Sequence, residues 1–182
     1  MDFETLKAAD QEYILPTYGR FDLALDHGQG ALVYDVSGKE YIDMTSGIGV
    51  LSLGQNHPAL VEAIAKQAGK LLSVSNLFYT EPAVQAARLL IENSGMEKVF
   101  FANSGAEANE GVIKTARKYA ADKYGKDRYK ILTLKNSFHG RTIATLEATG
   151  QDHFHNSFFP FTEGFEYAQA KNLDDVKAKA DA

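Results

Sequence analysis

The stretch Val99-Phe100-Phe101-Ala102-Asn103-Ser104-Gly105-Ala106-Glu107-Ala108-Asn109-Glu110 constrains the fold of this chain more than any other. Val99 to Ala102 is short, apolar and aromatic-rich, which predicts a strand buried on both faces. Ser104 stands three residues before Glu107, the spacing of a capping box. In that motif the serine hydroxyl accepts from the Glu107 N–H, and the Glu107 carboxylate reaches back to the N–H of Ser104. Gly105 and Ala106 carry almost no side chain, so an outside group can approach the N–H groups of the first helical turn. A strand feeding such a turn and helix suits an anion, and a phosphate-bearing ligand is its natural occupant. An ordinary capped helix after a strand has the same spacing.

The rest of the chain sets this unit in a series. Residues 1–20 read as a short helix or arm ending near Pro16, with Tyr13, Ile14 and Leu15 as anchors. Ala31–Val36 and Glu40–Met44 flank Ser37-Gly38-Lys39, the pattern of a β-hairpin. Thr45 to Gly54 lacks the G-x-G-x-x-G dinucleotide spacing and reads as a flexible connection or a loop on the substrate side. Asn56-His57-Pro58 opens a helix with Asn56 as N-cap, and Leu60, Val61, Ile64, Ala68 and Leu71 mark its core face. Thr80-Glu81-Pro82 starts another, with Val84, Ala87, Leu90 and Ile91 as its buried stripe and Asn93-Ser94-Gly95 as its stop. The helix after Ser104 runs to about Tyr124, Tyr129–Leu134 is a second candidate buried strand, and Thr142–Ala148 is helical. Gln151–Phe161 is aromatic-rich and irregular, and Asn172 begins a last helix. Strand and helix in alternation predict an α/β layer with a parallel sheet. Ligands sit beyond the carboxyl ends of such strands, which puts the Ser104 turn and the loop after Leu134 on the ligand side.

Composition narrows the chemistry. A chain of 182 residues is long enough for a real core, and 45% hydrophobic with 24% charged residues is ordinary for a globular protein. The net charge of −5 gives no general pull toward nucleic acid or anionic membrane. With no cysteine, disulfides, thiolate metal sites and cysteine nucleophiles are excluded from this chain. No apolar run approaches the roughly 20 residues of a membrane span, and Met1-Asp2-Phe3-Glu4 is unlike a signal peptide, so a soluble cytoplasmic protein is the default expectation. Neither the P-loop, the H-E-x-x-H pair nor the G-x-S-x-G elbow occurs. His153 and His155 have no third ligand spaced to join them and read as solvent-facing loop histidines.

The second informative loop is Asn136-Ser137-Phe138-His139-Gly140-Arg141-Thr142. Phe138 at a ligand-facing strand end can lie against a flat ring, and Arg141 can grip a carboxylate with two parallel hydrogen bonds. Each also has a plainer role, Phe138 in the core, Arg141 in a surface ion pair and His139 in fixing the loop. A phosphate cradle, a stacking aromatic and a carboxylate fork together suit a planar phosphorylated cofactor with an amino-acid substrate.

Ser104-Gly105-Ala106-Glu107-Ala108-Asn109-Glu110 and Asn136–Thr142 resemble the pyridoxal-phosphate-dependent class III aminotransferases, most closely the acetylornithine and ornithine enzymes. The likeness extends through Pro16-Thr17-Tyr18-Gly19-Arg20, Gly38–Asp43 and Leu53–Pro58 and so covers nearly the whole chain. The resemblance implies an α/β chain with part of the type I aminotransferase fold. Residues 1–75 would form an N-terminal arm, hairpin and linking helix, and residues 76–182 the first part of the large cofactor-binding domain. It implies pyridoxal 5'-phosphate as cofactor, held at its phosphate by the Gly105 and Ala106 N–H groups, with Phe138 on the pyridine ring. Arg141 would hold the substrate α-carboxylate, assisted by Tyr18. It further implies a homodimer that moves the amino group of N-acetylornithine, or a related ω-amino acid such as ornithine, to 2-oxoglutarate, with no nucleic acid or membrane partner.

In this family the lysine that attaches to the cofactor, and the acidic partner of the pyridine nitrogen, come later than Ala182, and no lysine here matches that lysine's context. The expectation is therefore a chain truncated before its catalytic lysine and inactive by itself. Two other readings stay open: a non-catalytic packing or dimerisation module, and a phosphate-binding α/β protein of different chemistry.

Overall fold

The computed structural model describes residues 1–180 and divides into two compact units, Met1–Tyr79 and the residues from Thr80 onward. The first opens with α1 (Phe3–Tyr13), capped by the Asp2 carboxylate, which accepts from the Thr5 N–H at 2.8 Å. Three antiparallel strands follow, β1 (Leu25–Gln29), β2 (Leu32–Asp35) and β3 (Glu40–Ile42). The β2–β3 hairpin is the one expected, in register Leu32 with Ile42 and Tyr34 with Glu40. β1 is an addition, since Leu-Asp-His-Gly-Gln has neither alternation nor β-branched residues to mark a strand. The expected flexible connection holds a short helical turn, α2 (Ser46–Gly49), in which Gly47 and Ile48 are left-handed. α3 (Pro58–Ala68) then starts on His57 rather than Asn56, because Asn56 adopts a left-handed φ of 54°.

Two aspartates fasten the turns of this unit. Asp35 Oδ1 accepts from the Ser37 N–H, the Ser37 hydroxyl and the Lys39 N–H, and Asp43 Oδ1 accepts from the Thr45 N–H and hydroxyl and the Ser46 N–H. The Ser37 hydroxyl foremost for Asp35, and the Thr45 hydroxyl foremost for Asp43, draw each carboxyl from its ordinary 3.8 down to about 2. A folded value below the unfolded one adds stability that is complete above pH 3.8 and lost as pH falls through about 2. The side-chain carboxyl carbons should accordingly titrate in NMR near pH 2. Midpoints near 4, the usual carboxylate range, would show that the turns do not hold them.

The second unit carries α4 (Glu81–Ser94), closed by left-handed Gly95, then α5 (Gly105–Tyr124), β4 (Ile131–Leu134) and α6 (Ile143–Ala148). A 3₁₀ turn (Asp152–Asn156), β5 (Phe165–Ala168) and α7 (Leu173–Ala180) complete it. β4 and β5 pair in parallel, Ile131 with Phe165 through Leu134 with Ala168, giving the expected α/β layer. The buried core of this unit includes Ile113, Leu146, Ala148 and Ala168. Arg117 ties its loops: Nε donates to the Tyr129 carbonyl at 3.2 Å, and a terminal nitrogen donates to the Glu163 carbonyl at 2.8 Å.

Several burial expectations are corrected. Val99–Ala102 is not a buried strand: it pairs with no strand among the described residues, and Phe100 and Phe101 are 70% and 52% exposed. The core faces of α3 and α4 are likewise uncovered at Leu60, Val61, Ile64, Val84 and Leu90, although Ala87 and Ile91 are half-buried. An apolar stripe encodes a face to be covered and does not itself supply the cover. His155 is also not a solvent-facing loop residue. It is half-buried, with Nε2 3.1 Å from the Leu146 carbonyl and its ring against Phe161 and Tyr167.

Candidate cofactor and substrate site

The N-terminus of α5 is built as the spacing predicts, with one difference. The Ser104 hydroxyl accepts from the Glu107 N–H at 3.2 Å, while the Glu107 carboxylate reaches one residue further back, to the N–H of Asn103 rather than Ser104, at 2.6 Å. This leaves the first-turn amides of Gly105 and Ala106, which donate to no protein acceptor among the described residues. A Cβ built on Gly105 would meet no atom within 4 Å, so no neighbouring side chain crowds the side of the helix start where that Cβ would stand. Two unclaimed N–H groups at the positive end of a 20-residue helix, beside an uncrowded glycine, fit a phosphate.

The loop after β4 is pressed against this turn. Gly140 has a φ of +133°, and a Cβ there would stand 2.7 Å from Ala106 Cβ and 2.6 Å from Thr145 Oγ1. Only a glycine lets the two backbones approach this closely. The buried Thr149 hydroxyl accepts from the His139 N–H at 3.0 Å and donates to the Thr145 carbonyl at 2.9 Å. Asn109 Nδ2 donates to the His139 carbonyl at 2.7 Å, and Glu110 Oε1 accepts from the Thr142 hydroxyl at 2.5 Å.

Phe138 and Arg141 stand together on this loop. Phe138 is half exposed, touches Phe154 at a ring separation of 5.9 Å, and has the Arg141 guanidinium 5.5 Å from its centroid. Phe138 therefore offers exposed ring surface instead of sitting in the core, and a cation stands beside it. The structure thus brings Gly105, Ala106, Phe138 and Arg141 into one unit. Tyr18 belongs to the other unit, where it is exposed and its carbonyl accepts from Arg20 at 3.5 Å. Asn109 and Glu110 are site-building residues that the motif spacing does not reveal. Among the described residues no group of His, Asp and Glu is arranged to hold a metal ion, and no helix is long and apolar enough to cross a membrane.

The chain belongs to the class III aminotransferases, whose family model matches residues 13–182. It is an α/β protein carrying part of the type I pyridoxal-phosphate-dependent aminotransferase fold. It is 56% identical to the acetylornithine aminotransferase of Haemophilus ducreyi, over 98% of this chain and 46% of that protein. It superposes on the ornithine aminotransferase of Toxoplasma gondii ME49 with a TM-score of 0.94 at 31% identity, over 100% of this chain and 43% of that one. A second Toxoplasma gondii ornithine aminotransferase structure matches with a TM-score of 0.93 and 31% identity, over 99% and 43%; that enzyme shows partial occupancy of pyridoxal phosphate at its active site. The chain spans less than half the length of these relatives.

Proposed function

We propose that these residues supply the phosphate cradle, ring-facing aromatic and carboxylate fork of a pyridoxal-phosphate-dependent aminotransferase. Its donor is N-acetylornithine or a related ω-amino acid, and its acceptor is 2-oxoglutarate. The observation that carries this reading is the contact of Gly140 with Ala106, which holds the Phe138–Arg141 loop against the open N-terminus of α5.

In this reading the cofactor, when bound, supplies an electron-withdrawing ring and an aldehyde that carries the amino group between substrates. The chain's own residues bind and orient. The Gly105 and Ala106 N–H groups hold the phosphate, and Phe138 lies against the ring and keeps water from that face. Arg141 takes the substrate α-carboxylate in a two-pronged contact, and the Tyr18 hydroxyl assists at the same end. In the family that the sequence resembles, the lysine that attaches to the cofactor and the acidic partner of the pyridine nitrogen come later than these residues, and the chain spans 46% of its Haemophilus ducreyi relative. Residues 1–75 form the arm, hairpin and linking helix of that enzyme, and residues 76–182 part of its cofactor-binding domain. The enzyme works as a homodimer in the cytoplasm.

The uncovered faces of α3 and α4 favour a second reading, a packing or dimerisation module without a ligand of its own. Titration with pyridoxal phosphate, read by absorbance, separates the two. The chain should bind the cofactor weakly, and Gly105→Val should weaken that binding at least about 10-fold while costing folding no more than about 1 kcal/mol, the helix penalty of a branched residue. The asymmetry follows because a Cβ at Gly105 meets no atom within 4 Å, whereas a branched side chain beside the two amides would crowd the anion proposed there. Equal binding by both forms would remove the phosphate from this turn. Borohydride reduction of the mixture should leave no lysine labelled stoichiometrically.

A further inference from the structure

The loop that bears Arg141 is tied to α5 at both of its ends. Asn109 holds the His139 carbonyl and Glu110 holds the Thr142 hydroxyl, so two adjacent side chains of one helix bracket the pair Gly140-Arg141. Gly140 is packed on Ala106, which leaves Arg141 as the one long side chain inside the bracket.

Proton accounting shows which tie is decisive. Thr142 Oγ1 lies 2.5 Å from Glu110 Oε1 and 2.5 Å from Thr145 Oγ1. A carboxylate only accepts, so the single Thr142 hydroxyl proton goes to Glu110 and Thr145 must donate to Thr142. Thr145, wholly buried, in turn accepts from the Thr142 N–H at 3.0 Å. The relay fixes both the backbone and the side chain of the residue next to Arg141, and it terminates on Glu110. Without that acceptor the Thr142 hydroxyl can turn its proton to Thr145 Oγ1, Thr145 can donate to the Thr142 carbonyl at 3.4 Å instead, and the relay reverses.

We propose that Glu110 is a positioning residue: by holding Thr142 it sets where the Arg141 guanidinium stands relative to the Gly105 and Ala106 amides. The inference rests on the reading of Arg141 as the carboxylate-holding group.

The test uses the complete enzyme, meaning these residues together with the remainder of the family's length. Glu110→Ala should raise KM for the amino donor and for the keto acid roughly 10-fold each, the scale of one lost hydrogen bond, with kcat and cofactor affinity within about twofold. Glu110→Gln keeps the accepting oxygen and should restore KM. Glu110→Asp keeps the charge but withdraws the oxygen by one methylene, and should behave as the alanine variant does. The Asp and Gln variants carry the comparison if the alanine variant does not fold. Hydrogen exchange gives a readout independent of turnover: the His139 and Thr142 amides should exchange at least about 10-fold faster in Glu110→Asp, with α5 unchanged. A purely structural role would lower stability and leave the split between KM and kcat unmoved. Unchanged KM in Glu110→Asp beside a raised KM in Arg141→Ala overturns the inference, as does a Gln variant no better than Asp. If Arg141→Ala itself leaves KM unchanged, the reading of Arg141 fails and takes this inference with it.

Discussion

Arg141→Ala is expected to raise KM for the amino donor at least about 30-fold in the complete enzyme, while the spectrum of bound cofactor stays nearly normal. Truncating one member of a hydrogen-bonded charge pair costs roughly 2–5 kcal/mol, and 2 kcal/mol corresponds to about 30-fold. In the proposed reading the cofactor is spared, because its phosphate would rest on the Gly105 and Ala106 amides of α5, whereas Arg141 stands on the loop beside them. Steady-state kinetics with α-amino-acid donors makes the measurement. Unchanged constants would take Arg141 out of the site, and a lost cofactor spectrum would mean that Arg141 supports the cradle instead of the substrate.

Gly140→Ala should be nearly as damaging, by another route. The added methyl would stand 2.6 Å from Thr145 Oγ1, 2.7 Å from Ala106 Cβ and 3.0 Å from Ala106 Cα, on a residue whose φ is +133°. Strain and overpacking together place the cost at roughly 2–4 kcal/mol. Relief requires the loop to lift from α5, so cofactor affinity should fall along with stability. Urea unfolding and cofactor titration of the same variant test both consequences. Gly105 is the instructive contrast: a Cβ there meets nothing within 4 Å, so in the proposed reading its substitution should burden the ligand more than the fold. Near-normal stability in Gly140→Ala would mean that the loop does not rest on Ala106 in solution.

What could be read in advance was what neighbouring residues settle among themselves. The Ser104 cap, the Gly95 stop and the Ser37-Gly38-Lys39 hairpin depend on contacts within a few positions, and each is found. Even there the Glu107 carboxylate chose the Asn103 amide over that of Ser104, a shift of one residue that spacing alone does not resolve. Burial depends on segments far apart in the chain and is the property least legible in the sequence. The apolar run Val99–Ala102 predicts a buried strand, yet a strand is a relation between two segments, and no described residue supplies the second. β5 is hard to read in the sequence because Phe-Glu-Tyr-Ala is only four residues long, and its pairing with β4 makes it a strand. The ties from Asn109 and Glu110 were hidden for a related reason: they join residues 30 and 32 positions apart. Sequence spacing marks the cradle and the loop separately, and tertiary contact shows them to be one object.

The close seating of Gly140 on Ala106 also sets a thermodynamic condition on any two ligands that use the two sides. Free energies of binding are linked: whatever factor an anion on the helix amides adds to the affinity of a carboxylate at Arg141, the carboxylate must add to the affinity of the anion. A small dicarboxylate and inorganic phosphate, titrated each in the presence of the other, share a single coupling constant. Its magnitude reads how stiffly one glycine contact transmits order between a helix terminus and the loop beside it.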